Sequence, residues 1–384
     1  MPCDKPLYLS AFTFNITLLF LITILCFSVL GIQIIYILLF LLGFAKDEKD
    51  APQPAHPVSI IVCAHDEEVN LRELIPLLLT QDHPEFELII VEDRCNDGTY
   101  DYLREMTATH NQLKMVRVVH KPDHINGKKF GLTLGIKAAK YEWLLFTDAD
   151  CRPASNQWAT QMTSHYNENT QIVLGFSPYT KRTGWLNAFI RFESIVTGIQ
   201  MISYANLGKP YMGIGRNLAY TKSLFLGHKG FNDHLEVTGG DDDLFVNHVA
   251  SKKNTRVCLS PEAITVSHPK ESWRDFLHQK LRHLSVGKKY QVGDKITLAI
   301  FSLTWMLTWF FVAPWMVFTI GFYGIGVLFI IRWILQIILI HKATNKWGMG
   351  FEVWKTPFLD FIFPFYYLVT GLRALVVKRI QWKN

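Results

Sequence analysis

The stretch Trp143-Leu-Leu-Phe-Thr-Asp-Ala-Asp-Cys151 is a short apolar run that ends in two carboxylates one residue apart. The run is too short for an independent helix and is typical of a buried strand. In an open α/β sheet, ligands bind beyond the carboxyl ends of the strands, which is where Asp148 and Asp150 would lie. Carboxylates are preferred ligands of Mg²⁺ and Mn²⁺, which also bind phosphate oxygens. The stretch therefore predicts a metal site, although an Asp-x-Asp turn that caps a helix would have the same pattern.

Upstream of this stretch, apolar β-rich runs alternate with helical segments. Strands are predicted at residues 58–63, 86–91, 113–119 and 143–147, and helices at 69–80, 99–109 and 128–140. This alternation is typical of a mostly parallel sheet with helices on both faces. The predicted fold class is therefore α/β, with a Rossmann-like sheet.

Carboxylates also follow the first two predicted strands. The first strand runs into Asp66 and Glu67, and the second runs into Asp93. Carboxylates gathered at one edge repel each other unless a cation or hydrogen-bond donors lie between them. A metal ion, or the base and ribose of a nucleotide, would supply these. The chain has no Gly-x-Gly-x-x-Gly after the first strand and no Gly-Lys-Ser/Thr loop, which argues against dinucleotide and P-loop binding.

The composition limits the classes of partner. The chain of 384 residues is 49% hydrophobic and has a formal net charge of +6. This mild basicity is not typical of nucleic-acid binding; it suits a protein at an anionic membrane surface that handles a phosphorylated substrate. The six cysteines are scattered, so we expect reduced thiols in a cytosolic compartment.

Long apolar segments flank the alternating region. Ile16–Phe44 carries no formal charge and exceeds the roughly 20 residues that a membrane span needs, so it predicts a retained anchor. Ile296–Ile340 suits two spans with a break near Gly321–Gly324. Arg332 lies inside the second of these spans and should snorkel or find a partner.

A third apolar zone, Phe358–Val377, contains Pro364. A full span here would place the basic C-terminus outside, against the positive-inside tendency. We therefore expect a re-entrant or interfacial helix pair broken at Pro364. The predicted division of the chain is an N-terminal anchor (1–45), a linker (46–57), a catalytic domain (58–290) and a C-terminal membrane region (296–384).

Six motifs follow one another along the predicted catalytic domain. They are Val58-Ser-Ile-Ile-Val-Cys-Ala-His-Asp-Glu-Glu68, Ile89-Ile-Val-Glu-Asp-Arg-Cys-Asn-Asp-Gly-Thr99, Asn126-Gly-Lys-Lys129, Thr147-Asp-Ala-Asp150, Gly239-Gly-Asp-Asp-Asp-Leu244 and Gln279-Lys-Leu-Arg-His283. In this order they make the chain similar to the family 2 glycosyltransferases. The resemblance implies a GT-A fold flanked by transmembrane helices, and a nucleotide-diphospho-sugar as the donor.

The resemblance also implies the donor-binding residues. Asp66, Glu67 and Asp93 would contact the base and ribose. Asp150, with help from Asp148, would bind Mg²⁺ or Mn²⁺ on the diphosphate. Asp66 stands where the family usually has Asn, which leaves the base contact open.

Further donor contacts are expected from basic residues. Gln279 and Arg282 lie on a predicted amphipathic helix at 273–290 and resemble the family's Gln-x-x-Arg-Trp motif, in which Arg suits phosphate oxygens. Lys128 would also reach a phosphate, unless it is a solvated lysine at a helix start. The alternative for 273–290 is a juxtamembrane helix whose basic side chains bind lipid headgroups.

The three acids that follow Gly240 resemble the family's Glu-Asp-x-Asp-Leu pattern, with Gly240 in place of Glu. On that pattern Asp241 is the general base, and an offset of one residue would make it Asp242. Asp243 would orient the loop and cap a helix that starts at Leu244.

The acceptor side is implied by the same resemblance. Gly213, Gly215 and Asn217 would form part of the acceptor wall, joined by Asp242 and His283, although the glycines equally suit a turn. His283 stands where the family has a Trp that stacks on the acceptor sugar in polymer synthases, so long-chain polymerisation is in question.

The segment 185–204 has apolar residues at helical spacing, interrupted by Arg191 and Glu193. It predicts an amphipathic helix on the bilayer surface. The alternative is an ordinary helix that faces the core.

We therefore expect a membrane-bound inverting glycosyltransferase. It would move a sugar from a nucleotide-diphospho-sugar, UDP-linked, to a lipid-linked or envelope-glycan acceptor at the cytosolic face of a bacterial inner membrane. The alternatives are a processive polysaccharide synthase and a non-catalytic assembly subunit. The sequence names neither the sugar, nor the acceptor, nor the oligomeric state.

Overall fold

A computed structural model gives the structure of residues 7–46, 54–123, 125–318 and 323–376. Most of the predicted linker, and Gly321 and Phe322 of the predicted break, lie outside these described residues.

Strands of the catalytic region form one large sheet and one small pair. They are β1 (Val58–Ala64), β2 (Phe86–Asp93), β3 (Leu113–Val118), β4 (Trp143–Phe146), β5 (Cys151–Pro153), β6 (Ile172–Leu174), β7 (Leu218–Thr221), β8 (Thr255–Val257) and β9 (Thr265–Ser267). The sheet of the described residues has the order β3-β2-β1-β4-β7-β6-β8, and β5 pairs with β9. β1 to β4 pair in parallel, whereas β7 runs antiparallel to β4 and β6. The predicted mostly parallel sheet is confirmed.

The helices alternate with the strands and then continue into the membrane region. They are α1 (Leu7–Ala45), α2 (Glu68–Leu79), α3 (Thr99–Thr109), α4 (Gly127–Ala138), α5 (Trp158–Ser164), α6 (Trp185–Asn206), α7 (Lys222–Gly227), α8 (Asp243–Val249), α9 (Trp273–Gly287), α10 (Val292–Leu307), α11 (Ala313–Phe318), α12 (Tyr323–Lys346) and α13 (Thr356–Val376).

Helices cover both faces of the sheet because the side chains of β1 alternate between the faces. Ile60 and Val62 belong to one hydrophobic cluster with Leu74 of α2. Ile61 belongs to the opposite cluster with Leu132 of α4. The carboxyl ends of β1, β2 and β4 therefore meet at one edge, next to the first turns of α2, α3 and α4.

Helix α6 is buried inside the protein. Its charged side chains find distant partners: Arg191 pairs with Glu352, and Glu193 pairs with Lys280. Most of its residues are buried against α1, the sheet and the C-terminal helices. The prediction of an amphipathic helix on the bilayer surface is therefore wrong, and the core-facing alternative is correct.

Among the described residues, three helical segments are long and apolar enough to cross a membrane: Thr17–Ala45, Val292–Val317 and Tyr323–Lys346. The second comprises α10, a π-helical stretch at Thr308–Val312 and α11. α1 packs along α12 and α10. These segments flank the catalytic region, as predicted.

Helix α13 is continuous through Pro364, so the predicted break into a helix pair is wrong. A proline inside a helix removes the N–H that would bond the carbonyl four residues earlier. Here that carbonyl belongs to Asp360, and it accepts a hydrogen bond from Trp305 Nε1 at 3.2 Å. The indole replaces the missing donor, which explains why the helix tolerates the proline.

Candidate active site

The two carboxylates that follow β4 lie in a turn. The carbonyl of Asp148 accepts a hydrogen bond from the N–H of Cys151 at 3.0 Å, and the side chains of Asp148 and Asp150 are partly exposed. β5 leaves the turn and pairs with β9, which fixes its far end. The segment is therefore a turn, as one alternative predicted, and it also presents two accessible carboxylates, as a metal site requires.

Lys128, in the first turn of α4, connects this turn to the acids after Gly240. Its Nζ lies 3.0 Å from Asp148 Oδ1 and 3.0 Å from Asp241 Oδ2. Burial by itself would lower the pKa of this ammonium, but the nearby carboxylates outweigh burial and hold the pKa well above its ordinary value. Burial would raise the pKa of Asp241, and Lys128 outweighs it, so that the pKa of Asp241 is lowered. Both groups are therefore charged at neutral pH.

Two glycines bring Asp241 to this position. Gly239 and Gly240 have φ values of 87° and 78°, in the region that favours glycine. A Cβ on Gly240 would lie 2.6 Å from a methyl carbon of Leu244. The local backbone therefore requires glycine at position 240, where the family pattern has Glu.

The next two acids have structural partners. Asp242 is the N-cap of α8: its Oδ1 accepts from the N–H of Asp243 at 2.8 Å, and its Oδ2 accepts from the N–H of Gly215 at 2.7 Å. Asp243 accepts from the N–H of Leu244 and from the hydroxyl of Tyr290, both at 2.8 Å. Burial and neighbouring carboxylates raise the pKa of Asp242 and Asp243. The prediction that Asp243 caps a helix starting at Leu244 is wrong by one residue.

The loop after β1 uses its acids internally. Asp66 has a φ of 54°, and its Oδ1 accepts from the N–H of Asn96 at 2.6 Å. Glu67 Oε2 accepts from Asn70 Nδ2 at 2.6 Å. Both side chains are therefore held in place at the sheet edge. Their role in binding the base remains a prediction.

Asp93, at the end of β2, is buried and is paired with the next residue. Arg94 Nε and Nη2 lie 2.8 Å and 3.1 Å from the two carboxylate oxygens. Arg94 has a φ of 53°, a strained value for a residue with a side chain. A Cβ on Gly127 would lie 2.7 Å from Arg94 Nη2, so the start of α4 approaches this pair closely. The Asp93–Arg94 pair therefore lies close to Lys128, which follows Gly127 in α4.

A second acidic group lies at the same edge. One ligand atom each from Asp66, Cys95 and Asp97 lie within 4.8 Å of one another. The Asp97 oxygens accept from the N–H groups of Thr99 and Glu68, as expected of a turn residue. Burial raises the pKa of the Cys95 thiol to about 12, so it is not a thiolate at neutral pH. The two aspartates of this group therefore connect the loops after β1 and β2 through backbone N–H groups.

Two predicted acceptor residues belong to the interior. Asn217 is fully buried: its Nδ2 donates to the carbonyls of Phe176 and Ala263, each at 2.7 Å, and its Oδ1 accepts from Trp158 Nε1 at 2.9 Å. Gly213 is buried in the core next to α8. The predicted acceptor contacts of Asn217 and Gly213 are therefore wrong, because neither can reach a ligand.

Helix α9 is attached to the core through a buried ion pair of Lys280 with Glu193, at 2.5 Å. A lipid-headgroup role for Lys280 is therefore wrong. Gln279 Oε1 is buried and has no hydrogen-bond partner among the described residues, so its predicted donor contact remains a prediction. His283 is exposed on α9, and the cations near it include Lys280 and Arg282.

Arg216 is a candidate that the sequence analysis missed. Its guanidinium lies 4.6 Å from the centre of the Tyr179 ring. Burial lowers the pKa of Arg216, but neighbouring groups, which include Tyr179, Cys151, Asp150 and Asp148, outweigh burial and raise it. It follows Gly215, whose N–H binds Asp242. The signal in the sequence was an arginine in a short glycine-containing loop, a residue suited to phosphate.

Two family profiles match this chain. The profile described as "Glycosyl transferase family 2" matches residues 59–225, and that described as "Glycosyl transferase family group 2" matches residues 143–369, more than half of the chain. The chain belongs to glycosyl transferase family 2.

Curated relatives of this family 2 chain cover parts of it. The probable glycosyltransferase YdaM of Bacillus subtilis is 24% identical over 260 residues, which are 64% of this chain and 58% of YdaM. The poly-beta-1,6-N-acetyl-D-glucosamine synthase of Staphylococcus epidermidis is 26% identical over 162 residues, 41% of this chain and 35% of the synthase. The chain thus matches less than two thirds of the length of these relatives.

A solved structure resembles almost the whole family 2 chain. The mannosyltransferase PcManGT of Pyrobaculum calidifontis, solved with GDP-Man and Mn²⁺, has a TM-score of 0.61 at 17% identity. The similarity covers 93% of this chain and 99% of that one. At this identity the likeness concerns the fold, and the predicted GT-A fold is confirmed.

The predicted site residues of this family 2 chain converge from separate elements. Lys128, Asp148, Gly215, Asp241 and Asp242 line one pocket at the carboxyl end of β4. The carboxylates of Asp148 and Asp150 are hard oxygen donors at an accessible sheet edge, which fits Mg²⁺ or Mn²⁺. Asp150 in particular has only a long contact, 3.6 Å from the Cys151 thiol, among its described hydrogen bonds.

Proposed function

We propose that this chain is a membrane-bound inverting glycosyltransferase. It moves a sugar from a nucleotide-diphospho-sugar, for which we expect UDP, to a lipid-linked or envelope-glycan acceptor. One observation carries the proposal. Asp148, a proposed metal ligand, and Asp241, the proposed base, line one pocket and both pair with Lys128. A donor diphosphate and an acceptor hydroxyl would need these two kinds of group side by side.

The proposed reaction is a single displacement. Asp241 accepts the proton of an acceptor hydroxyl, and the hydroxyl oxygen attacks the anomeric carbon opposite the leaving group. The bond from that carbon to the diphosphate oxygen breaks, and the nucleoside diphosphate leaves with the electron pair. The anomeric configuration is therefore inverted. Asp241 suits the role of base because it lines the pocket as a carboxylate held by Lys128, whereas Asp242 and Asp243 accept hydrogen bonds from backbone N–H groups.

Charge on the leaving diphosphate needs positive partners. Asp150 and Asp148 would hold Mg²⁺ or Mn²⁺, which when bound draws charge from the diphosphate. Arg282 would add a guanidinium, and Arg216, which follows the pocket residue Gly215, would add a second. Asp66, Glu67 and Asp93 would position the base and ribose.

We also propose that the catalytic domain is cytosolic, in a bacterial inner membrane. α1 would then bring the chain in from outside, and the segments Val292–Val317 and Tyr323–Lys346 would form a hairpin that returns it to the cytosol. The acceptor would therefore be presented at the cytosolic face.

A processive polysaccharide synthase is the second candidate, favoured by the similarity to the Staphylococcus epidermidis synthase. His283 in place of the family's Trp weighs against it. Product length from a single lipid acceptor separates the two: one added sugar supports the single transferase, and a ladder of products supports the synthase.

The test of the main proposal is a panel of nucleotide sugars with the purified full chain in detergent and Mn²⁺. Released nucleotide is measured, with Asp150→Ala as the matched control. We expect release from one donor, lost in the variant. If no donor reacts, calorimetry measures donor binding. Binding without release would indicate that a specific acceptor is required, and the absence of binding to every donor would favour the assembly subunit and reject the proposal.

A further inference from the structure

Lys128 neutralises two carboxylates that come from different parts of the chain. Asp148 follows β4 and Asp241 precedes α8, and Lys128 Nζ lies 3.0 Å from an oxygen of each. The Asp241 side chain is 8% exposed and that of Lys128 is 17% exposed, whereas that of Asp148 is 33% exposed. A partly buried pair of carboxylates this close needs a cation between them.

The first turn of α4 is anchored on both sides of Lys128. Gly127 approaches Asp93 and Arg94 so closely that a Cβ would clash. The buried Lys129 donates to the carbonyls of His234 and Val237, at 2.5 Å and 2.9 Å. The backbone at Lys128 is therefore fixed, and the long side chain is the part that can change partners.

The carboxylate of Asp148, whose Oδ1 accepts from Lys128, would have two uses. In the proposed function, Asp148 helps to hold a divalent cation with Asp150. A divalent cation there would lie within a few ångströms of the Lys128 ammonium, and like charges at this distance repel. Lys128 must then leave Asp148, and the diphosphate of the donor is the nearest new anion that the proposed reaction supplies.

We propose that Lys128 is a positioning residue that couples donor binding to release of the base. In the absence of metal and donor it holds Asp148 and Asp241 in one ion-paired unit. When metal and donor bind, its ammonium moves to the diphosphate and leaves Asp241 free to accept a proton. This inference rests on the proposed function, and in particular on the metal site at Asp148 and Asp150.

The alternative is a purely structural role, in which Lys128 keeps both ion pairs throughout the reaction. The two roles differ in their effect on metal binding. A lysine that competes for Asp148 weakens metal affinity, so removing its charge strengthens binding. A lysine with a purely structural role stabilises the site, so removing its charge leaves the metal affinity unchanged or makes it weaker.

The experiment measures Mn²⁺ binding to the full chain in detergent without nucleotide, by the electron paramagnetic resonance signal of free Mn²⁺. The variants are Lys128→Met, Lys128→Arg, which keeps the charge, and Lys137→Met, which removes an exposed lysine from the same helix. We expect Lys128→Met to bind Mn²⁺ about tenfold more tightly than the unmodified chain. Lys128→Arg and Lys137→Met should match the unmodified chain. Unchanged or weaker binding by Lys128→Met would overturn the inference.

A second measurement adds UDP. We expect UDP to strengthen Mn²⁺ binding more in the unmodified chain than in Lys128→Met, because only the former must displace an ammonium. An equal gain in both would contradict the coupling.

Loss of Lys128 leaves two carboxylates facing each other, so the variant is also followed by thermal unfolding. We expect Mn²⁺ to raise the Tm of Lys128→Met, and of Lys128→Gln, more than that of the unmodified chain. An equal or smaller rise in both variants counts against the inference. Asp150→Ala distinguishes the failure of the proposed function: if it binds Mn²⁺ as well as the unmodified chain does, the metal site itself is wrong.

Discussion

At the scale of single residues, Asp241 is the acid whose surroundings suit a base. Its carboxylate is held by Lys128 and is placed by two glycines, whereas Asp242 and Asp243 accept backbone hydrogen bonds. We expect Asp241→Asn to lower kcat by a factor of about 10² to 10⁴, because the amide cannot accept the proton. Nucleotide release with the reactive donor measures the effect, and calorimetry should show that the variant still binds the donor.

Asp242→Asn is the matched control for this prediction. It removes a charge next to Asp241 and keeps a side-chain oxygen that can accept from the Gly215 N–H. We expect a smaller loss of activity than in Asp241→Asn. The reverse order would move the base to Asp242, which is the one-residue offset that the sequence left open.

At the scale of elements, the loop before Asp241 contains a buried histidine that makes it sensitive to acid. His234 is 5% exposed, and both ring nitrogens lack a hydrogen-bond partner among the described residues. Burial first, and then the cations Lys129 and His248, lower its pKa from 6.5 to about 4, although Asp233 opposes this. Between pH 4 and 6.5 the unfolded chain therefore binds more protons than the folded chain.

Stability should consequently be complete above pH 6.5 and should fall as the pH decreases towards 4. His234→Phe keeps a ring and removes the titration, so its free energy of unfolding should change less over this range, by about 3 kcal/mol. Thermal unfolding at a series of pH values tests this, with the exposed His228→Gln as control. Parallel curves for the unmodified chain and His234→Phe would show that His234 does not cause the acid sensitivity.

The elements that sequence predicts well are those whose pattern is local. β1, β2 and β4 are apolar runs that end in acids, and Thr99–Thr109 is a helix with the predicted bounds. The position of these acids at one edge of the sheet could be predicted for the same reason. The family's motifs were also sufficient to predict that Asp148 and Asp241 lie in one site.

What local pattern could not predict depends on contacts across the chain. α6 looked amphipathic because the partners of Arg191 and Glu193 lie at Glu352 and Lys280. Asn217 looked like a ligand-binding residue because its partners, among them Trp158, are distant in sequence. The continuity of α13 through its proline depends on an indole from α10, which no window around the proline contains.

At the scale of the whole molecule, one buried ion pair joins the membrane helices. Arg332 of α12 pairs with Asp360 of α13 at 2.5 Å and 2.9 Å, and both side chains are 0% exposed. Asp360 also accepts from the indoles of Trp309 and Trp333, at 3.0 Å and 3.1 Å. Gln33 of α1 contacts Arg332 at 3.5 Å, and Trp309 belongs to the segment Val292–Val317, so four helical segments meet at this cluster.

We expect Arg332→Met to destabilise the protein by about 3–5 kcal/mol, because Asp360 is left as a buried charge without its partner. The double variant Arg332→Met/Asp360→Leu should recover part of the loss. Thermal unfolding in detergent measures both, with Arg104→Met as control because its ion pair with Asp101 is exposed. A double variant no more stable than the single one would contradict this account.

The side of the membrane that the C-terminus occupies follows from how α13 packs. Phe363 and Tyr366 pack onto Phe189 of α6, and Tyr366 stacks on Phe276 of α9, so α13 lies along helices of the catalytic region. Its opposite side exposes an apolar stripe at helical spacing: Phe358, Phe361, Phe365, Leu368 and Leu372. This pattern is typical of a helix that faces lipid on one side. Because Asp360 near the start of α13 pairs with Arg332 inside the candidate span Tyr323–Lys346, this end of α13 reaches into the membrane. We therefore propose that α13 is a re-entrant helix that enters the bilayer without crossing it, and that the C-terminus is cytosolic.

Protease accessibility of terminal tags tests this arrangement. A C-terminal tag should be digested in inside-out vesicles and protected in intact spheroplasts, because the protease reaches only the cytosolic face in the former. An N-terminal tag should give the opposite result if, as proposed, α1 begins outside. Digestion of the C-terminal tag only in spheroplasts would mean that α13 is a full span. The apolar stripe would then face the bilayer interior, and the packing of α13 on the charged helix α9 would have to be lost in the membrane.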